Sequence, residues 1–284
     1  MKISLFIILT LFISEAILAK ENLIVNKQKR YNIENKQINE SSGLACSTHN
    51  KKILWTHNDS GHMPIIYALS QKGKDRGTFY LDDMDSYDWE DMDAFVYQDK
   101  HYLLIADTGD NIKMRWDYRL YIIEEPKLNS AKKNASRSSI SPAWTITFKY
   151  DDNQSHDVEA VAVDISREKI LLLTKRTKQS ILFELDLKPS NLDRTQVAIK
   201  VGELKQIKRP SALDISLDGK LMSVHTYARI HRFHYSSKKN QWKYDNSLKY
   251  KGLYQPEAMC LREDEKYYFV SSEKKSKLLK INAN

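Results

Sequence analysis

The 284-residue sequence has little glycine, proline or cysteine, with 8, 6 and 2 respectively. So little Gly and Pro excludes a collagen-like or low-complexity chain. Beyond the first twenty residues no apolar run is long enough to cross a bilayer. No stretch sustains a helical hydrophobic period. No Arg/Lys-rich run interleaved with aromatics appears, so nucleic acid is not an expected partner. No cysteine lies close to the N-terminal apolar segment, which argues against a lipid-anchored chain.

What is present begins with an export signature. Met1-Lys2 precedes an apolar run from Ile3 to Ile13, followed by Ser14-Glu15-Ala16 and Ile17-Leu18-Ala19. A short positive start, an apolar centre and small residues at a cleavage point describe a signal peptide over residues 1–19. Cleavage after Ala16 or after Ala19 fits equally. The expectation is a secreted or periplasmic, soluble, monomeric protein without a membrane anchor. Residues 20–284 then form a single domain. The net charge of +8, from 45 basic and 37 acidic side chains, fits a lysine-biased solvated surface. It also suits an anionic small-molecule ligand such as a phosphate compound.

The chain is built from a repeat. Five segments open alike: Ser42-Gly43-Leu44-Ala45, Glu90-Asp91-Met92-Asp93, Glu159-Ala160-Val161-Ala162, Ser211-Ala212-Leu213-Asp214 and Glu257-Ala258-Met259-Cys260. Each is followed by a second and a third short apolar run rich in Ile, Val, Tyr and Leu, bounded by polar turns. That is strand chemistry. The first four units carry a fourth run, at 78–81, 144–150, 196–201 and 242–244, and the last has none. Leu23-Ile24-Val25 stands unmatched before the first unit, where a strand can complete the last one and hide two sheet edges. The sequence therefore predicts an all-β fold, a five-bladed β-propeller closed by an N-terminal strand. An exposed Ser/Asn/Lys-rich insert over about 127–142 accounts for the one long repeat interval.

In a propeller the first strand of each blade lines the central channel, so equivalent positions meet around the axis. That column reads Ser42, Glu90, Glu159, Ser211, Glu257. Three carboxylates in a narrow channel must take up protons or be neutralised by a cation. Ca²⁺, which accepts six to eight oxygens, suits them, and the lack of His or Cys in the column disfavours zinc. The competing reading is three glutamates that cap backbone amides in a solvent-filled channel. Past the second strands lie polar turns bearing His57, Asp59, Asp107, Lys175, Arg176 and His225, which either flank a pocket or are ordinary turn residues.

These strings resemble the calcium-activated nucleotidases, the secreted apyrase type. In that family two serines and three glutamates surround one calcium in the order seen here. Ser42-Gly43-Leu44 looks like the family's opener, and Asp59-Ser60-Gly61 sits where an Asp-Arg-Thr-Gly turn is expected. His156-Asp157-Val158-Glu159-Ala160-Val161 is similar to its His-Glu-Ala-Val segment, and Leu173-Thr174-Lys175-Arg176 stands for its Leu-Pro-Arg-Arg. The family's Asp-Gly-Asp-Gly segment is missing. Asp88-Trp89-Glu90-Asp91 and Ala106-Asp107-Thr108-Gly109-Asp110-Asn111 are also similar to uncharacterised bacterial secreted propellers of phytase-esterase-like type. The resemblance implies a Ca²⁺-dependent hydrolase of phosphate esters or anhydrides. Lys175 and Arg176 would stabilise developing charge, and Asp59 or Asp107 would orient water. The alternatives are a non-catalytic ligand- or protein-binding propeller with a structural calcium, and a calcium-dependent esterase or lactonase with His57 or His225 as base.

Cys46 lies four residues after Ser42 and Cys260 three after Glu257, offsets of opposite strand parity in units that neighbour each other in a closed ring, so a disulfide can form between them. The reading preferred from sequence is two reduced, buried core cysteines.

Overall fold

The computed structural model describes residues 23–24, 27–128, 134–135, 139–188, 194–227, 229–262 and 264–283. The signal-peptide reading of residues 1–19 and half of the 127–142 insert lie outside the described residues. Among those described there are strands, turns and no helix.

The strands follow the predicted repeat closely. After β1 (Leu23–Ile24) and β2 (Gln28–Asn32) come the first meander, β3 (Ser41–Cys46), β4 (Ile53–Asn58), β5 (Ile65–Ser70) and β6 (Asp75–Tyr80). The second is β7 (Trp89–Tyr97), β8 (Lys100–Asp107), β9 (Tyr118–Glu124) and, past the short β10 (Asn134–Ala135), β11 (Trp144–Tyr150). The third is β12 (Val158–Asp164), β13 (Lys169–Thr174), β14 (Ser180–Asp186) and β15 (Gln196–Leu204). The fourth is β16 (Pro210–Ile215), β17 (Leu221–Thr226), β18 (Arg229–Ser236) and β19 (Gln241–Lys249). Last come β20 (Pro256–Leu261), β21 (Tyr267–Ser272) and β22 (Lys277–Asn282). Each meander is antiparallel, and its first strand lies beside the first strand of the next. β3 lies beside β7, β7 beside β12, β12 beside β16, β16 beside β20, and β20 beside β3 again. This is an all-β protein with the sheet layout of a propeller.

Burial explains why the inner strands read as continuous apolar runs while the outer ones alternate. β12 (VEAVAVD) is buried at every position, whereas β11 (WTITFKY) alternates between buried and exposed side chains. A strand packed on both faces selects apolar residues throughout, and one with a wet face selects them at every second place. Each hydrophobic core lies between one meander and its neighbour. Trp55 and Phe79 meet Trp89 and Ile105, Tyr118 and Phe148 meet Val161 and Phe183, and Leu69 meets Phe269. Burying one such aromatic is worth about 1.5–3 kcal/mol.

An N-terminal strand completes the last meander, as expected, but at residues other than Leu23-Ile24-Val25. The strand that completes the last meander is β2, paired antiparallel with β22 from Gln28↔Ile281 to Asn32↔Lys277. Leu23–Ile24 instead pairs in parallel with β19, Leu23 opposite Leu248. The physical reason is position: β2 is an outermost strand with largely exposed side chains, so QKRYN carries no apolar run to announce it. Other outer edges are covered as well. β11 pairs in parallel with β15 of the next meander, and β10 lies along β6. Covering unpaired edges removes templates for aggregation.

Cys46 and Cys260 are joined in a disulfide, with Cα atoms 5.6 Å apart, which corrects the preference for two free thiols. Cys46 ends β3 and Cys260 lies near the end of β20, and the two inner strands are neighbours. The bridge therefore ties the first meander to the last.

Candidate functional site

The ladders of the inner strands carry one irregularity in common. In β3 the pairing passes from Ser41↔Asn58 to Gly43↔His57, skipping Ser42. In β7 it skips Glu90, between Trp89↔Asp107 and Asp91↔Ala106. The same skip falls on Glu159, on Ser211 and on Glu257. A bulge leaves its extra residue unpaired and re-aims its side chain. Every column residue sits on such a bulge, in the same register, and all are buried or nearly so. Recurrence at every inner strand marks a built feature of the repeat.

Carboxylates converge at this level. Oxygens of Glu90, Asp157 and Glu159 lie within 4.8 Å of one another, as do those of Asp59, Asp88 and Glu90. The backbone of Gly109 passes so close to Glu90 and Asp88 that a β-carbon there would collide with both carboxylates. Burial pushes the Glu90 carboxyl well above its usual range, and Glu159, Asp59 and Asp88 raise it further. Burial, then Asp59, raises Asp88 to about 6. Burial raises Glu257 to about 7, Lys175 opposing and Glu159 adding to it. The acidic groups thus crowd one another at the cost of their charge, which is the condition a cation relieves.

Part of that relief comes from the chain. The Lys175 ammonium, largely buried, donates to Glu159 Oε2 and lies 3.9 Å from Glu257 Oε2. Burial works against its charge, and Glu159 and Glu257 more than offset that. Arg176, half exposed with φ at +52°, reaches Asp157 and, at 3.1 Å, Glu159 Oε1. The Glu159–Glu257 side of the column is therefore bridged by a lysine. Asp59, Asp88 and Glu90 have no ion pair with a basic side chain among the described residues. An oxygen-only set with carboxylates free of a protein cation fits a hard divalent ion such as calcium on that side.

The remaining sequence-derived candidates take other places. Asp59 is half-buried and accepts the Ser60 amide at 2.6 Å, keeping a second oxygen for the cluster. Asp107 is buried and accepts both the Asp88 amide, at 3.0 Å, and Arg115 Nη1, at 2.7 Å, so it positions its neighbours. His57 is completely buried. Its Nδ1 donates to the Asn58 carbonyl at 2.9 Å, and burial lowers its pKa. His225 is equally buried, its Nδ1 2.6 Å from Ser211 Oγ and its Nε2 against the Tyr250 hydroxyl. Burial drops it to about 3. Burial thus disfavours the charged form of both imidazoles and keeps both from the surface. Ser42 Oγ donates to the Glu90 carbonyl at 3.0 Å, tying two bulges together.

Asp88 and Asp157 were missed as site residues. Each stands two places before a column glutamate, in Asp88-Trp89-Glu90 and Asp157-Val158-Glu159, and that repeated Asp-X-Glu is the signal that could have found them.

No family model and no curated protein matches the chain. Solved structures similar to it include one chain of a mitotic checkpoint complex, at 13% identity over 85% of this chain, with a TM-score of 0.43. This chain spans 61% of that one. A functionally unknown protein from Desulfotomaculum acetoxidans is similar at 13% identity, covering 82% of this chain and 65% of its own, with a TM-score of 0.44. The β-propeller domain of Cps50 (Swd1) from Myceliophteria thermophila matches at 9% identity, covering 84% and 82% of the two chains, with a TM-score of 0.46.

Proposed function

We propose that the chain is a secreted five-bladed propeller whose channel mouth binds calcium and serves hydrolysis of phosphate esters or anhydrides. The observation that carries this reading is the common bulge: the ladder skips Ser42, Glu90, Glu159, Ser211 and Glu257 in turn. Five inner strands lying side by side in a cycle support the blade count. The crowding of Asp59, Asp88 and Glu90, with no described basic partner, supports a cation on that side.

Bound calcium would supply polarisation of a phosphoryl oxygen and relief of the mouth's negative charge. The chain's own residues do the rest. Glu90 and Asp88, pressed against the Gly109 backbone, hold their oxygens fixed. Asp59, half-buried at the rim, is placed to accept a proton from a water. Arg176, the half-exposed cation, can turn one guanidinium edge to an anionic ligand while Asp157 keeps the other. Without the ion a phosphate meets a surface of its own sign, so turnover is expected to depend strictly on calcium.

The test combines binding and turnover. Calcium titration by calorimetry should show one site that Glu90→Gln weakens by about 10-fold or more, the loss of one charged ligand being worth about 1.4 kcal/mol or more. ATP, ADP, pyrophosphate, phytate and an aryl ester are then incubated with calcium or with chelator. Calcium-dependent phosphate release supports the hydrolase. Calcium binding with a silent panel leaves the non-catalytic propeller, and cleavage of the aryl ester alone favours an esterase. Absence of calcium binding sinks the central-site reading itself.

A further inference from the structure

At the opposite end of the inner strands from the acidic mouth lies a groove of about 880 Å³ with the reverse charge. The β3–β4 turn contributes Lys51 and Lys52, the β5–β6 turn Lys72 and Lys74, β6 Arg76, the segment after β9 Lys127, and the last meander Arg262 and Lys280. Among the described residues no carboxylate lines it. Lys74 is paired with Glu34 and Arg262 with Asp264. Lys51, Lys52, Lys72, Arg76, Lys127 and Lys280 have no ion pair with a described carboxylate.

These cations are held together by construction. Glu125, buried beneath the β3–β4 turn, accepts the Thr48 amide at 3.2 Å, the His49 amide at 3.0 Å, Asn50 Nδ2 at 2.9 Å and Trp55 Nε1 at 2.8 Å. Asn50 also donates to the Pro126 carbonyl at 2.8 Å and accepts the Leu128 amide at 2.8 Å. Lys127 is thereby fixed beside Lys51 and Lys52. The Cys46–Cys260 disulfide ties the wall bearing Arg262 to the strand that leads into this turn. Lys280 feels the crowding: burial, Arg262, Lys29 and Lys52 all lower its pKa.

We propose that this groove is a binding site for a linear phosphate polymer, of the chemistry of inorganic polyphosphate. Six cations without a described acid partner around one trough match closely spaced charges along an unbranched chain. Among its described lining residues there is no Phe, Tyr or Trp. The one ring is the His49 imidazole, which lies against His101, and Lys280 sits over the neighbouring Tyr267 ring. The trough therefore presents no free Phe, Tyr or Trp face on which a base or a sugar would stack. Lysine outnumbers arginine, which suits point-charge neutralisation over bidentate recognition. The site is independent of calcium and of whatever the mouth does.

Fluorescent polyphosphate binding is measured by anisotropy with the full mature chain at several salt concentrations. The wild type should bind with log Kd rising steeply with log salt, a slope near 4 if about six cations engage. The variant Lys51→Gln/Lys52→Gln/Lys72→Gln/Arg76→Gln should bind about 30-fold or more weakly with a shallower slope. The control Lys149→Gln/Lys238→Gln/Lys239→Gln/Lys243→Gln removes the same charge from exposed positions elsewhere and should bind within about 3-fold of wild type. Equal loss in both variants would mean diffuse attraction by net charge and would overturn the site. Equal binding of a sulfated glycan or an oligonucleotide would overturn the assignment to polyphosphate. Melting temperatures of both variants near wild type keep the comparison clean.

Discussion

At the scale of single residues, Lys175 decides how the channel mouth behaves. Its ammonium neutralises Glu159 and approaches Glu257, and its charge is also favoured by Glu90, the carboxylate a divalent ion on the far side would use. Lys175→Met removes a tethered competitor and leaves two buried carboxylates unpaired. Breaking a buried pair from one side costs about 3–5 kcal/mol, so the calcium-free variant should melt well below wild type. Added calcium should then raise its melting temperature by more than it raises the wild type's. Thermal melts with calcium and with chelator check this, and an unchanged calcium-induced shift would show that the lysine and the ion do not compete. Much at this scale was legible. The column Ser42, Glu90, Glu159, Ser211, Glu257 follows from aligning the openers. What stayed hidden was which neighbours share its space. Lys175 reads as a turn cation beside a pocket, and only the fold sends it into the column. His57 and His225 read as bases because sequence carries no measure of the burial that neutralises them.

At the scale of elements, the recurrent bulge and the closing strand mark the limits of pattern reading. A bulge changes the pairing partner of one residue without changing residue type, so no apolar-polar alternation records it. β2 escapes for a related reason: QKRYN on an outer edge needs hydrogen bonding to β22 more than burial. Strands packed on both faces, such as β12 and β13, announce themselves. The disulfide belongs to this scale because it ties β3 to β20 across 214 residues of chain. Closing so long a loop restricts the unfolded chain by up to about 5 kcal/mol, though measured gains are commonly 2–4 kcal/mol. Cys46→Ser/Cys260→Ser, or reduction of the wild type, should lower the melting temperature by roughly 5–12 °C. A melt under reducing and oxidising conditions measures it. Identical curves, with free thiols confirmed in the reduced sample, would mean that the closure is maintained by packing and β2 alone.

At the scale of the whole molecule, the inner strands are joined around the axis by buried carboxylates on backbone amides. Asp91 of β7 accepts the amides of Val161 in β12, at 2.9 Å, and Leu213 in β16, at 3.1 Å. Asp93 accepts the Val163 amide at 2.7 Å, and Asp214 of β16 accepts the Leu261 amide of β20 at 2.8 Å. Burial raises Asp93 to about 7 and pushes Asp91 and Asp214 well above the carboxylate range, the amide bonds only partly opposing it. A carboxyl whose folded pKa exceeds its unfolded value near 4 binds protons more tightly when folded. Its relative stabilisation is complete below about pH 4 and disappears as pH rises through about 7 for Asp93. The fold should therefore lose stability between about pH 5 and pH 8, by on the order of 2 kcal/mol from Asp93. Glu257 and Asp88 at the mouth act with the same sign. Saturating calcium separates the two ends, since the ion would offset charge at the mouth and leave the lower channel untouched. Urea midpoints across that pH range, with calcium present, should still fall with pH in the wild type. In Asp93→Asn they should fall less, from a lower starting value because the amide group offers one acceptor where the carboxyl offered two. A wild-type midpoint that rises with pH under calcium would show that these carboxyls stay ionised in the fold, held there by the amides of the neighbouring strands.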